Sequence, residues 1–527
     1  MAVQPLQLHP EITAWLARRQ AGLQIVKTTV TPHGQTIDWV PIASQHPSGK
    51  IASPPPASML PPRTVDPQRP SRAIVMELDD LSVDRGPPGT VPIPRPSVGK
   101  LRATTTLREY AVKNGGRIVK KTRASATPTD PNPAGYFHQT DSQNGTFFGW
   151  DGHLSVWAPA INNPPGPGDD HSILQFWLQN YDKGFTQSVE GGWTVDENLN
   201  GDTQPHIFTY YTTNGYSQDG DNIGGYNTLN SGWIQVSPTI FPGIRISTVS
   251  TVGGPQYDVS MKFQLYKEPT DGSLNWWVAV QGTWIGYYPA SLFNGGLGAK
   301  ADWFGIGGEV FSSLSNPEQT NDQMGSGFHA NGGWTRAAFV RNIRVQTDMN
   351  GTMATNNGGG VGDAAAPGGA DPYTIETHMN SGGSWGSYFF AGGPTAVAPP
   401  VALFNQVSFT IVTGGDDLRG DSSAVATIAL PSGTQTFTLK NQNEGSWNNN
   451  STHTKSFAIA GAPQPLPAFG AVKITLTSHN GIFETDDNWN IQSVEVALSG
   501  PGGSASLMNR TGNPFARLTG SAPSVTL

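Results

Sequence analysis

Residues 257–289, YDVSMKFQLYKEPTDGSLNWWVAVQGTWIGYYP, decide the fold class. YDVSMKFQLYK and NWWVAVQGTWIGYYP alternate apolar and polar positions or run briefly apolar, and turn-forming Pro, Asp and Gly separate them, as in strands joined by turns. Trp276, Trp277 and Trp284 crowd this stretch, and adjacent strand residues point to opposite faces. One of Trp276 and Trp277 therefore lines a groove in place of the core, unless the strand is buried on both sides.

The pattern continues outward in HLSVWAPAI (153–161), SILQFWLQN (172–180), QPHIFTYYTT (204–213) and AAFVRNIRVQ (337–346). From about Tyr136 to Pro394 it predicts an all-β, antiparallel β-sandwich. Composition agrees: 64 Gly, 43 Pro and only 13% charged residues in 527 suit strands with long ordered loops rather than helices. This length leads to roughly three domain-sized units. The absence of Cys removes disulfides, cysteine nucleophiles and thiolate metal sites together. No run is long and apolar enough to span a bilayer, which predicts a soluble protein with no transmembrane segment. MAVQPLQLHPEITAWLARRQ lacks the apolar core and small-residue cleavage site of a signal peptide, so no export signal is visible in it.

Charge divides the chain. Residues 1–130 carry 17 Lys+Arg against 9 Asp+Glu, residues 131–394 carry 8 against 22, and the last 133 carry 6 against 8. A basic leading segment beside an acidic body predicts an intramolecular attraction that weakens as carboxylates protonate; the bland alternative is a solvated basic tail. The basic residues are scattered among prolines rather than clustered with stacking aromatics, which argues against nucleic acid as a partner. Pro10 opens a short amphipathic helix carrying Ile12, Trp15, Leu16 and Leu23 on one side. Residues 53–72 are proline-rich and extended, TLREYAVKN (106–114) reads as a second short helix, and TRASATPTDPNPAG (122–135) is a polar, cuttable linker. The domains expected are 1–130, a basic leading segment with its linker; 131–394, the sandwich; 395–403, a tether; 404–500, a small second β-sandwich; and 501–527, a disordered tail. In the second sandwich Asp416, Asp417 and Asp421, or Asp486 and Asp487, could hold calcium, although turns and solvation are the commoner use of Asp.

The chemistry is carried by few residue types. GGSWG (382–386) satisfies the pattern G-x-S-x-G but sits in a glycine-rich loop with no helix-forming sequence after it. There is no H-E-x-x-H, and the eleven histidines lack ligand spacing, so no metal or other cofactor is expected. Glu190 in FTQSVEGGW and Glu309 in WFGIGGEVF each stand beside a Gly-Gly pair among apolar residues. Apolar walls raise a carboxyl pKa, and two carboxyls brought together push their values apart into one acid and one base, titrating as a unit. An isolated strand glutamate is more often a solvated surface residue, and spacing does not establish that the two meet. Two carboxylates beside aromatic platforms also suit a glycoside hydrolase, and the tryptophans without the glutamates would suit a carbohydrate-binding module.

A set of segments in order resembles the neprosin family of glutamic peptidases: SILQFWLQN, SVEGGWTV, PHIFTYYTTNGY, GGYNTLNSGWIQ, NWWVAVQGTWIGYYPASLF, GIGGEV, MGSG, AAFVRNI and GSWGSYFFAGGP, preceded by IDWVPIASQHPSGK and GPPGTVPIPR. The resemblance covers about residues 33–394. It implies that Glu190 and Glu309 are the catalytic glutamates of a secreted endopeptidase that cleaves proline-containing peptides, preferentially after proline, at acidic pH. It also implies that the leading region is a propeptide, an intramolecular inhibitor removed in or near 122–135 from a monomeric zymogen. Plant members usually carry cysteines where this chain has Trp39, Gly225 and Asn230, which bears on loop rigidity and leaves both glutamates intact. TIVTGGDDLRGDS and DDNWNIQSVEV weakly resemble PLAT-like or jelly-roll accessory modules, implying a surface, lipid or polymer attachment role.

Overall fold

The alternating segments of the body become two antiparallel sheets that share one core through their inner faces. The computed structural model describes residues 8–80, 83–98, 106–107, 110, 136–161, 170–312, 322–358, 361–363, 372–394, 403–430, 433–461, 463–465, 469–478, 486–500 and 503–527. Its contacts form two units, 1–396 and 397–527. The leading segment is thus part of the same unit as the sandwich.

In the first unit the leading segment supplies α1 (Pro10–Ala21), β1 (Lys27–Val30), β2 (Thr36–Pro41), β3 (Ser71–Ala73) and β4 (Thr90–Pro94). The body opens with β5 (Tyr136–Phe147), β6 (Gly149–Ser155), β7 (His171–Asn180), β8 (Gln187–Asp196), β9 (His206–Thr212) and β10 (Gly224–Tyr226). It continues with β11 (Ile234–Gln235), β12 (Gln256–Lys267), β13 (Leu274–Val280), β14 (Thr283–Pro289) and β15 (Ala301–Phe311). Five strands close it: β16 (Ala338–Gln346), β17 (Met353–Thr355), β18 (Val361–Asp363), β19 (Thr374–His378) and β20 (Tyr388–Gly392). One sheet has the order β10-β9-β8-β7-β15-β5-β18; the other runs β11-β14-β13-β12-β6-β16-β20-β19, with β17 beside β16 and β3 parallel to β12. Between them Phe176 of the first sheet stacks on Trp150 at 4.2 Å and meets Phe263 edge-on at 4.4 Å, both from the second. Trp276 faces this core, with its indole N–H on Leu297 O at 2.9 Å, whereas Trp277 faces the outside of its sheet. Both are buried, because the leading segment covers the outer face.

α1 begins where the sequence places it, with Pro10 in the first turn and His9 as N-cap. Ile12 and Trp15 are buried, but Leu23 lies past the helix end and packs instead beside Val40, Val91 and Ile93 of the small sheet β1-β2-β4. Of the second helix only Thr106, Leu107 and Tyr110 are described, and the 122–135 linker lies outside the described residues. Among the described residues two ion pairs join the leading segment to the body, Lys50–Asp271 and Arg63–Asp258; Lys27–Asp84, His33–Glu77, Arg69–Asp66 and Arg95–Asp38 stay within it. Apolar burial and backbone pairing join these ion pairs in holding the leading segment to the body. GGSWG forms a 3-10 turn that buries Trp385 beneath the Arg69 guanidinium at 4.0 Å, a structural role.

The second unit is also a pair of antiparallel sheets. Its strands are β21 (Leu403–Phe404), β22 (Gln406–Thr413), β23 (Ser423–Leu430), β24 (Gly433–Lys440), β25 (Thr452–Ala458), β26 (Gln464–Pro465), β27 (Val472–Thr477), β28 (Trp489–Gly500), β29 (Gly503–Leu518) and β30 (Ser524–Thr526). The four-stranded sheets are ordered β25-β22-β28-β29 and β24-β23-β27-β30. The expected disordered tail is corrected here: β29 pairs along the length of β28, and β30 pairs with β27. The backbone of these small and polar residues is satisfied by the ladder, and Leu518 reaches the core. Two of the carboxylates named for calcium meet arginines. Asp416 pairs with Arg517 at 3.0 Å and Asp487 with Arg419 at 3.5 Å, and among the described residues no cluster of metal-ligating side chains exists. The buried Lys440 ammonium instead donates to Arg419 O and Ser422 O at 2.7 Å and to Gly420 O at 3.1 Å. A side-chain cation fills the carbonyl-lined loop.

Candidate active site

The two Gly-Gly-Glu settings are brought onto one face of one sheet by strand register. Glu190 of β8 lies opposite Trp177 of β7, and Glu309 of β15 lies opposite Ile173 of the same strand. Positions 173, 175 and 177 share a face, because strand side chains alternate. Between the glutamate rows runs Gly192–Gln175–Gly307, so Gln175 stands at the centre with a glycine on either side and a glutamate at each diagonal corner. The twin motifs thereby acquire separate reasons for their two glycines. On the outer face, a Cβ at Gly192 would strike Leu174 O, and one at Gly307 would strike Gln139 O. On the core side, a Cβ at Gly191 would come within 2.9 Å of the Phe263 ring, and one at Gly308 would overlap Met324.

Two strand spacings across and four residues along put the glutamate Cα atoms roughly 16 Å apart on a flat sheet. The two glutamates therefore stand at opposite corners of this face, with Gln175 between them.

Each glutamate is buried in its own hydrogen-bond shell, with 0% exposure at Glu190 and 1% at Glu309. Three nitrogens surround the Glu309 carboxylate: His138 Nε2 at 3.0 Å, His171 Nε2 at 3.2 Å and Gln175 Nε2 at 2.9 Å. Hydroxyls meet Glu190 Oε1, with Tyr216 at 2.5 Å and Ser188 at 2.7 Å. Tyr216 reaches it from a backbone with φ of 60°, a left-handed conformation that costs a non-glycine residue about 1 kcal/mol or more. Burial first, and then the neighbouring Glu190 carboxyl, push the Tyr216 phenol well above its usual range, so it donates a proton to the hydrogen bond. The Gln175 amide gives its N–H to Glu309, while its Oε1 is buried with no hydrogen-bond partner. Asp196, opposite His171 in register, is pushed up by burial, against the pull of the His171 charge.

The leading segment covers this face. Ile12 and Trp15 of α1, with Tyr110, pack in one cluster with Ile173, Phe208, Tyr210, Tyr216, Tyr226 and Leu229. Trp15 meets Tyr110 edge-on at 5.8 Å, and Arg19 donates to Leu229 O and Thr228 Oγ1, both at 3.3 Å. Gly225 and Asn230 stay together without cysteines: Asn230 Nδ2 donates to Gly224 O at 3.0 Å, and a Cβ at Gly225 would strike its side chain.

Glu190 and Glu309 were visible in the sequence, whereas Gln175, His138, His171 and Tyr216 were not singled out. A signal existed for Gln175, a polar residue inside the apolar run SILQFWLQN. The histidines and Tyr216 come from strands and loops whose pairing no local pattern reveals.

Among the described residues no helix is long and apolar enough to cross a membrane. Among solved structures, an alpha toxin from Clostridium absonum is similar at 16% identity with a TM-score of 0.21, over 25% of this chain and 33% of that one. Clostridium perfringens alpha-toxin from avian strain SWCP gives 17% identity and a TM-score of 0.20, over 24% of this chain and 32% of that one. The match spans about a third of each toxin, and likeness at this level says nothing about function. Residues 168–394, which include both glutamates, match the family model Neprosin. Together with the ordered segments and the all-β sandwich that carries them, this match assigns residues 168–394 to the neprosin family, a domain of peptidase type.

Proposed function

We propose that the chain is a secreted glutamic endopeptidase, made as a monomeric zymogen, that hydrolyses peptide bonds after proline at acidic pH. The observation that carries this reading is the diagonal of Glu190, Gln175 and Glu309 on one face, with glycines and no side chains at the positions flanking Gln175. Glu309, with the His138 and His171 rings and the Gln175 amide held against its carboxyl, serves as general base. It takes a proton from the water whose oxygen attacks the scissile carbonyl carbon. Glu190, the acid of the pair, gives its proton to the carbonyl oxygen; as the tetrahedral intermediate collapses, Glu309 passes the water's proton to the leaving nitrogen and Glu190 recovers its own from the re-forming carbonyl. Acidic conditions suit the pair because one of its two carboxyls must be protonated. Gln175, between them, holds Glu309 in place and offers an amide to the substrate backbone.

The leading segment acts as the intramolecular inhibitor. α1 and Tyr110 pack on the aromatic residues beside Glu190, which supports steric exclusion of substrate, and scission in 122–135 begins its release. The apolar, tyrosine-rich wall formed by Tyr210, Tyr216 and Tyr226 suits a flat proline ring.

The test compares the parent chain, Glu190→Gln and Glu309→Gln on a proline-containing peptide and on polysaccharides at pH 4 after acid treatment. Peptide cleavage by the parent should fall at least a thousandfold in each variant. Cleavage undiminished in both removes the glutamic mechanism, and polysaccharide hydrolysis lost in the variants would favour a glycoside hydrolase. Gln175→Leu should lower kcat by one to two orders of magnitude, a change consistent with loss of one oriented hydrogen bond at the reacting centre.

A further inference from the structure

The sandwich has a second aromatic surface, on the outer face of β11, β14 and β13 in the other sheet. Trp277, Trp284, Tyr287 and Ile234 form it, with the Trp277 ring 4.7 Å from Tyr287 and 6.2 Å from Trp284, edge-on. The leading segment lies on this shelf through IASPPPASML, residues 51–60: Ile51, Ala52, Met59 and Leu60 pack on the rings, and Pro55 is buried. A single 3-10 turn over Ala57–Met59 interrupts this otherwise extended segment, and the residues flanking the turn are of polyproline type, Pro56 with φ −54° and ψ 145° and Leu60 with φ −74° and ψ 141°. Ala52 N donates to Tyr287 Oη at 3.0 Å and Ser53 N to Glu268 Oε2 at 2.7 Å. The fit is incomplete in one respect. The indole N–H groups of Trp277 and Trp284 are buried with no hydrogen-bond partner. A row of aromatic rings with N–H donors among them is the surface that reads a polyproline helix, whose carbonyls project outward unpaired.

We propose that this shelf is a docking site for a proline-rich, extended polypeptide, occupied by the chain's own residues 51–60 until the leading segment departs. The proposal rests on the reading of that segment as a removable cover. The shelf and the glutamates lie on different sheets, on opposite outer faces of the sandwich. It therefore anchors a long proline-rich substrate at a distance from the bond being cut, and does not select the residue at the cut.

The test uses the full chain with both glutamates silenced, Glu190→Gln and Glu309→Gln, so that binding is measured apart from hydrolysis. Met59→Ser and Leu60→Ser are added to loosen the cover, and the probe is a labelled synthetic IASPPPASMLPP followed by fluorescence anisotropy. The loosened chain should bind it at least tenfold more tightly than the unloosened chain does, and at least tenfold more tightly than the same peptide with every proline replaced by serine. Trp284→Leu should abolish that preference. Equal binding of the two peptides, binding unchanged by Trp284→Leu, or no binding to a loosened chain with native near-UV circular dichroism overturns the proposal. Should the loosened chain misfold, hydrogen exchange at the Ala52 and Ser53 amides of the unloosened chain decides. Millimolar proline peptide should accelerate it several-fold, and equal acceleration by the serine peptide counts against the shelf. Binding without any hydrolysis by the parent enzyme would sink the peptidase reading and leave the docking site standing.

Discussion

Detaching α1 should uncover the Glu190 face without acid. Ile12 is fully buried and Trp15 is 9% exposed, and both contact rings from the body rather than from the leading segment alone. Truncating a buried Ile to Ala costs about 2–5 kcal/mol and a buried Trp about 3–5 kcal/mol. The two side chains are neighbours, so their costs do not add fully. Taking about 3 kcal/mol for Ile12→Ala alone, the population with the helix undocked rises about a hundredfold, at 1.4 kcal/mol for each factor of ten. Hydrogen exchange of the α1 amides at pH 7 measures that population directly. Peptide turnover by the intact chain at pH 7 should rise in parallel for Ile12→Ala and further for Ile12→Ala with Trp15→Ala. Ala14→Ser on the exposed side of the helix should change neither. Faster exchange with no gain in turnover would refute the helix as a cover. Unchanged exchange would refute the packing argument itself.

Two further outcomes follow from buried charges. His153 contacts Asp258 and Arg341, where Arg63 of the leading segment also arrives, and its pKa is lowered by burial first, with Arg341 and Arg63 adding and Asp258 opposing. A histidine neutral in the native state contributes stability that is complete above its unfolded pKa near 6.5 and is lost as pH falls toward the folded value. The urea midpoint followed by tryptophan fluorescence should therefore drop less between pH 6.5 and 5 in His153→Gln than in the parent; an equal drop in both would sink the idea. Asp258 does not share this window: burial would raise its pKa, but His153, Arg341 and Ser71 outweigh burial and hold it well below the usual carboxylate range, so its ion pairs survive at pH 4. In the second unit, Lys440→Met should leave three loop carbonyls without their donor and cost about 3 kcal/mol, seen as a lower melting temperature for that unit. A melting temperature raised by added calcium in that variant, and not in the parent, would show that the ammonium substitutes for a metal; an unchanged melting temperature without calcium refutes its structural role.

The strands of the body, the α1 helix and both glutamates were legible because each rests on local pattern: alternation, a proline at a helix start, a carboxylate among glycines. What joins them was not. Whether Glu190 and Glu309 touch or stand apart depends on the offset between positions 173 and 177 of β7, and nothing within either motif encodes that offset. Tyr216 belongs to the loop after β9, so its approach to Glu190 depends on a turn whose backbone is itself unusual. The C-terminal strand β29 was hidden for a different reason. Its Gly, Ser and Asn content reads as disorder until a partner strand is supplied, and β28 supplies it. In the acidic loops of the second unit, charge type alone does not reveal the arginines and the lysine that come to meet them.

The leading segment touches the body in separated places: α1 over the glutamate face, residues 51–60 on the aromatic shelf, and β3 as a parallel strand beside β12. A single cut between Tyr110 and Tyr136 would convert one molecule into two without disturbing any of these contacts. On the proposed reading of the segment as an inhibitor, the cover would from that moment have a dissociation constant, and the active fraction would depend on total concentration. A concentrated stock of nicked chain would then remain silent, and simple dilution would switch it on.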